Sequence, residues 1–429
     1  MGSCGSQSYR RARRAEVNES VRNLLCKSAD HLYFESPLMK VIFVCELASS
    51  IAATAFAAIM AMAILVTRVL HFNIRLLLVC TCIAMMISNS GVFISARYHL
   101  QVIFVRPEAE RCESLLFGRF ECVGVFISAR YHLQVIFVRP EAERCESLLF
   151  GRFECVGLKK FYNAGGMAVV MSTVVLAIER LIATCFYRTY ERRGHKWIGI
   201  VLSVLLWMTF LHSCFLMPDQ GTAVYHFCST SIYDVDFAKV ANIAVLAVQV
   251  FATLIFACLW HHNYKLMFTL DDQYLRVLST RYQLNENVST TKLMIPIVAI
   301  NAVLMLSYSI AYAIFLPPLV DNGDITEEVL DSINLYAPLA EVLVLLMPVA
   351  TTAFMLWMPV LSIHVRRSLF RFVGLQRCIK DSPGTKDTAE EAVTSTYFEL
   401  LKKQWEGKFT QERRRSHSRS RRSAVNIDV

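Results

Sequence analysis

The chain has 429 residues, 55% of them hydrophobic and only 18% charged, with a mean hydropathy of +0.42 and a formal net charge of +9. That balance excludes an ordinary water-soluble domain, in which about 25% of residues are charged. Apolar stretches of about 20 residues recur instead, each long enough to cross a hydrocarbon layer roughly 30 Å thick as a helix.

Residues 1–40 contain no apolar core followed by a small-residue cleavage site, so no cleaved signal peptide is expected and the first span serves as signal and anchor. MGSCGS at the start matches a myristoylation pattern through Gly2 and Ser6, with a palmitoylatable Cys4, and argues for an internal N-terminus. Asn18-Glu19-Ser20 is a glycosylation acceptor and argues for an external one. Seven spans follow, at about Val41–Val66, Ile74–Ile94, Leu158–Cys185, Trp197–Leu216, Phe237–Trp260, Leu293–Leu316 and Ala337–Ile363. They lack the two-residue alternation of barrel strands, and a backbone in lipid must satisfy its own hydrogen bonds, so the expected fold is an all-α seven-helix membrane bundle.

Loop charge gives the expected orientation, because Lys and Arg accumulate on the cytoplasmic side. Arg188, Arg192, Arg193 and Lys196 lie between spans three and four, and Lys265, Arg276, Arg281 and Lys292 between spans five and six. Residues 217–236 and 317–336 contain no Lys or Arg, and the tail is strongly basic. The N-terminus is therefore expected outside and the C-terminus inside. Arg10, Arg11, Arg13 and Arg14 oppose this, but lie more than 25 residues before the first span, where their weight is small. The expected organisation is an external segment 1–40, a seven-helix domain 41–363 and a cytoplasmic tail 364–429.

GVFISARYHLQVIFVRPEAERCESLLFGRFECV occupies 91–123 and recurs unchanged at 124–156. Solenoid repeats diverge and come in threes or more, so this perfect pair reads as an insertion or a gene-model artefact within a shorter architecture. The second copy puts an apolar fragment, Val125–Ser128, into the loop after span two.

Glu179 and Arg180 fall at the inner end of span three, 25 residues or about 37 Å beyond Cys155. There the charges avoid mid-bilayer burial and can reach water or polar backbone. The bland alternative is an arginine that only snorkels to the interface. The loop between spans four and five holds one cysteine, Cys228, which in an oxidising exterior needs a partner. Cys155 is the preferred one, with Cys112, Cys122 and Cys145 as competitors. Cys45, Cys80, Cys82, Cys185, Cys214 and Cys258 fall in or at the ends of spans, where a free thiol packs as a small apolar group.

Glu46 and Glu341 lie about one turn inside the outer ends of their spans, as candidate ligand contacts or as carboxylates reaching the headgroups. Tyr162, Asn163, Tyr308 and Tyr312 are further ligand-pocket candidates, while Gln249 and Asn301 read as interhelical bonding groups. Arg281, Asn285, Glu286 and Asn287 precede span six, on a helix expected to extend into the cytoplasm. After span seven, HVRRSLFRFVGLQRC reads as an amphipathic helix on the inner leaflet, with Cys378 as a palmitoylation candidate and contact with acidic lipid expected for the basic tail. Nucleic-acid binding is a poor reading for a tail tethered to a membrane.

The cysteine at the head of span three and the Glu179-Arg180 pair at its foot resemble G-protein-coupled receptors, in which such an arginine switches between an internal partner and the G protein. LHFNIRLLL at 70–78, IERLIATCFYRTYE at 178–191 and LSTRYQLNENVSTTKLM at 278–294 resemble the nematode serpentine chemoreceptors of the Sra superfamily. The Sre branch is the first choice and Srab the second, and the resemblance covers about Met39 to Gly374. It implies a receptor in the plasma membrane of a chemosensory neuron, at its cilium, with a heterotrimeric G protein and a small-molecule ligand as partners. Glu179, Arg180, Arg281, Glu286 and Asn287 are then the expected coupling residues. The rival is a seven-helix ligand-gated channel with its N-terminus inside. Span seven has Met347-Pro348 and Met358-Pro359 but no Asn-Pro-x-x-Tyr, and no lysine for a retinal Schiff base. The chain carries no GxxxxGK[ST], no HExxH and no zinc-type CxxC pair. No cofactor, metal or catalytic residue is expected, and the oligomeric state is not legible.

Overall fold

The computed structural model describes residues 19–67, 70–104, 150–186, 196–215, 224–232, 235–271, 278–316 and 326–374. Asn18, Cys378 and Val125–Ser128 lie outside them, as do Cys112, Cys122 and Cys145. Of Arg281, Asn285 and Glu286 only the backbone is described. The chain divides into a unit ending at Leu369, which holds the bundle, and a second unit from Phe370 onward.

The first element is a short amphipathic helix, α1 (Glu19–Asp30), followed by one π-helical turn (His31–Glu35). The spans are α2 (Pro37–Val66), α3 (Phe72–Phe104), α4 (Arg152–Cys185), α5 (Lys196–Phe215), α6 (Val235–Asp271), α7 (Leu278–Phe315) and α8 (Glu327–Leu361). All seven contain a window long and apolar enough to cross a membrane. Phe150 and Gly151 (β1) pair antiparallel with Tyr225 and Val224 (β2), a two-residue ladder beside the head of α4. A helix α9 (Ile363–Phe372) follows α8.

Local chemistry sets several ends. Ser36 accepts a hydrogen bond from the Met39 amide at 3.5 Å and Pro37 takes the first helical position of α2, where its missing N–H costs nothing. At the other end Thr67 bonds the Ala63 carbonyl through its hydroxyl at 2.7 Å. Glu327 and Glu328 open α8 where the helix dipole favours negative charge.

The helices close a ring in which α2 packs on α3 and α8, α3 on α4, α4 on α6, and α6 and α8 on α7; α5 packs outside, against α3 and α4. The α3–α4 crossing is tight. A Cβ on Gly165 would stand 2.6 Å from the Ser88 amide nitrogen, and one on Gly91 would collide with the Tyr162 backbone. Small residues at these two positions let the backbones approach, the usual means of packing helices where lipid removes the hydrophobic drive. The opposite faces, such as Phe237, Val240, Ile243, Phe251 and Leu254 on α6, are exposed apolar side chains suited to lipid.

The predicted spans are all present, but several run longer. Helix α3 continues ten residues past Ile94, α7 begins fifteen residues before Leu293, and α8 begins ten residues before Ala337. Hydropathy reports only the part of a helix that lipid surrounds. The polar start of α8 is helical because Leu330, Ile333 and Tyr336 bury against the N-terminal segment and α2.

Candidate functional site

One end of the bundle carries a disulfide-roofed cleft. Cys155 in the first turn of α4 is bonded to Cys228, holding the loop between α5 and α6 across the helix ends. Beneath it Lys159 reaches from α4 to Glu341 on α8, donating to its two carboxylate oxygens at 3.0 and 3.1 Å. Glu46 on α2 is wholly buried beside this pair, with its carboxyl group facing that of Glu341. Tyr308 donates to the Leu343 carbonyl at 2.8 Å, and its oxygen lies 2.5 Å from that of Tyr162. Asn163 reaches Thr230 in the loop at 3.5 Å. Together with Phe227, Tyr312 and Tyr336, the side chains of Lys159, Tyr162, Asn163, Tyr308 and Glu341 line a small open cleft of about 40 Å³.

Glu46 lies nine residues into α2 and Glu341 fourteen residues into α8, roughly 13 and 21 Å from the helix starts. Both helices begin earlier than their apolar runs, and the carboxylates turn into the bundle with 0% and 1% exposure. Lys159 supplies the countercharge that a buried Glu341 requires, since removing one partner of such a pair costs about 3–5 kcal/mol.

Helix α1 and the loop form a second layer over this end. His226 lies 2.8 Å from Asn334 Oδ1 and 3.2 Å from the Ser28 hydroxyl, joining loop, α8 and α1. Burial pushes the His226 imidazole down to about 4, against a smaller upward pull from the Asn334 bond. Phe227 meets Tyr336 edge to face at 6.3 Å, and Ser231 is 3.0 Å from the Tyr336 hydroxyl.

The opposite end carries the second constellation. Arg180 forms a bidentate fork with its neighbour Glu179, Nε to Oε2 at 2.6 Å and Nη2 to Oε1 at 2.9 Å. Its remaining Nη1 crosses to α7, donating to Thr290 Oγ1 at 2.6 Å and to Asn287 Oδ1 at 3.3 Å. Glu179 and Arg180 are 0% and 2% exposed, so in this conformation the pair is satisfied inside the bundle and does not reach water. Asn263 of α6 also bonds Thr184 of α4 at 3.1 Å. Gln249 bonds Thr173 at 3.0 Å, an α6–α4 contact in mid-bundle.

The structure thus joins Arg180 to Asn287, and Tyr162 to Tyr308, among the residues singled out from sequence. Lys159, Thr290, His226 and Asn334 complete these sites and were not singled out. A lone intramembrane glutamate at 341 is the signal for Lys159, because such a charge demands a partner. Thr290 is three residues after Asn287, on the same helix face. His226 and Asn334 carry no comparable signal. Cys80, Cys82 and Cys214 are buried free thiols, and Cys45, Cys185 and Cys258 free thiols on exposed faces.

The described bundle thus carries a roofed cleft at one end and an arginine clasp at the other. Residues 136–346 match the family described as serpentine type 7TM GPCR receptor class ab chemoreceptor. The chain is also 25% identical over 278 residues to serpentine receptor class alpha/beta-14 of Caenorhabditis elegans, an alignment covering 56% of this chain and 65% of that relative. These similarities fall on the ab branch, the second choice above, and not on Sre, the first. The family match begins inside the second copy of the 33-residue repeat.

Proposed function

We propose that this protein is a chemosensory receptor of the plasma membrane, with its N-terminus outside, in which a small external molecule entering the cleft activates a heterotrimeric G protein at the opposite end. The carrying observation is that the same two helices are clasped twice. Tyr162 meets Tyr308 at the cleft, and Arg180 meets Thr290 at the other end. Eighteen residues separate the two clasps on each helix, roughly 27 Å along the helix axis. A ligand that binds better when α4 and α7 part at the cleft shifts the population toward molecules in which Arg180 has left Asn287 and Thr290. Arg180 and the face of α7 that includes Arg281, Glu286 and Asn287 then become the G-protein surface. The similarity to chemoreceptors supports the sensory role and a ciliary location.

The test is nucleotide exchange by a heterotrimeric G protein reconstituted with the purified receptor. Arg180→Ala is expected to abolish exchange while surface expression persists. Exchange equal to that of the parent removes Arg180 from this role.

A further inference from the structure

Among the described residues three carboxyl groups are buried in the bundle, those of Glu46, Glu179 and Glu341. Two of them have a cation of their own. Glu179 is forked by Arg180, and Glu341 takes both hydrogen bonds of Lys159. The Glu46 carboxyl instead faces that of Glu341, within hydrogen-bonding reach. Two ionised carboxylates offer each other acceptor oxygens and no donor, so such a contact repels unless one of them carries a proton. Glu341 is the anion of the two, because both its oxygens accept from the Lys159 ammonium at 3.0 and 3.1 Å, the arrangement of a charge-assisted pair. The hydrogen between the acids does not come from the neighbouring phenols. Tyr308 donates to the Leu343 carbonyl, and Tyr162 donates to Tyr308. The remaining titratable groups on this side are Cys45, beside Glu46 on α2, and His99 of α3, whose ring stacks on Phe43 at 4.6 Å and on Tyr33 at 5.4 Å.

We propose that the Glu46–Glu341 pair is a proton-binding site: it holds one proton, carried by Glu46 as a neutral carboxylic acid that donates to the Glu341 carboxylate. A proton thereby ties α2 to the Lys159–Glu341 bridge between α4 and α8. The junction then consists of a neutral acid, an anion and a cation, and its charges sum to zero. Without that proton two anions would face one cation away from bulk water, since Glu46 and Glu341 are 0% and 1% exposed. Glu341 also lines the cleft, so the proton lies one side chain behind the cleft wall. A molecule that bonds Glu341 from the cleft therefore competes with Glu46 for the same oxygens. The assignment belongs to the pair as a unit, and it stands independently of the receptor reading.

The experiment is infrared absorption of the purified full-length protein in detergent at neutral pH, where solvent-exposed carboxyl groups are ionised. A protonated carboxylic acid has a carbonyl stretch above the amide and carboxylate bands, in a region otherwise clear. Three samples are compared: the parent, the parent grown with glutamate carrying carbon-13 in the side-chain carboxyl, and Glu46→Gln, whose amide keeps an N–H donor toward Glu341. The parent should show the acid band, the label should move it to lower frequency, and Glu46→Gln should lose most of its area. No acid band in the parent overturns the proposal and means that Glu46 is ionised, with His99 as the nearest candidate for its cation. A band that the label leaves in place, or one of unchanged area in Glu46→Gln, overturns it as well. Should the variant fail to give monodisperse protein, the labelled parent decides alone. None of these readouts involves a G protein, so failure here leaves the receptor reading as it stands, and loss of nucleotide exchange in Arg180→Ala leaves the proton site as it stands.

Discussion

Replacing Thr290 by valine removes one oxygen from the Arg180 clasp while keeping the shape of the side chain. The lost bond is short, 2.6 Å, and charge-assisted, worth about 1.5–3 kcal/mol. Asn287, at 3.3 Å, remains to hold the same nitrogen and recovers part of that. A net loss of about 1.4 kcal/mol confined to the clasped state is a tenfold change in its equilibrium with the released state. A resting receptor about 1% released would become about 10% released. Ligand-independent nucleotide exchange on a reconstituted G protein should therefore rise about tenfold, and the double variant with Arg180→Ala should lose it, because Arg180 is also needed on the G protein. Basal exchange within twofold of the parent, from receptor of normal yield, would refute the idea that this clasp holds the resting state.

Three further outcomes follow from the geometry. Cys228→Ser opens a loop of 73 residues, for which the chain-entropy limit is about 4 kcal/mol and the effect smaller while the spans stay inserted; thermal unfolding in detergent should show a lowered midpoint, and an unchanged one contradicts the role of the bond in fixing the roof. His226 has its proton affinity depressed in the folded chain, so its contribution is complete above about pH 6.5 and is lost as the pH falls toward about 4, up to roughly 3 kcal/mol. The unfolding midpoint should fall over that window in the parent and stay flatter in His226→Asn; parallel curves would exclude the histidine. Deleting 105–137 gives the same polypeptide as removing either repeat copy and spares every described residue, so the shortened receptor should keep the Cys155–Cys228 bond and ligand-independent exchange, as checked by non-reducing peptide mapping; loss of that bond would show that the duplicated block is required.

The seven spans were legible because an apolar run of about 20 residues has few other uses, and the Cys155–Cys228 preference was legible because Cys228 stood alone in its loop and Cys155, among several competitors, lay at the head of a span. The ends were not legible. EEVLDSINLY before Ala337 reads as polar loop, yet forms nearly three turns of helix because Leu330, Ile333 and Tyr336 find apolar partners outside the lipid-facing run. Helix α1 was hidden for the same reason: its buried face is Leu25 and Ala29, too few residues to raise hydropathy. Lys159 is one of two adjacent lysines near the head of α4, and nothing local shows which turns inward; Lys160 instead lies over the Phe215 ring at 5.6 Å.

The central claim is a chain that crosses the membrane seven times from an external N-terminus to an internal C-terminus, so that a cue received outside is delivered inside. Epitope tags at the two termini, probed by antibody on intact and then permeabilised cells, test it most directly. The account predicts that the N-terminal tag is stained on intact cells and the C-terminal tag only after permeabilisation. A C-terminal tag stained on intact cells, or an N-terminal tag that needs permeabilisation, would contradict it.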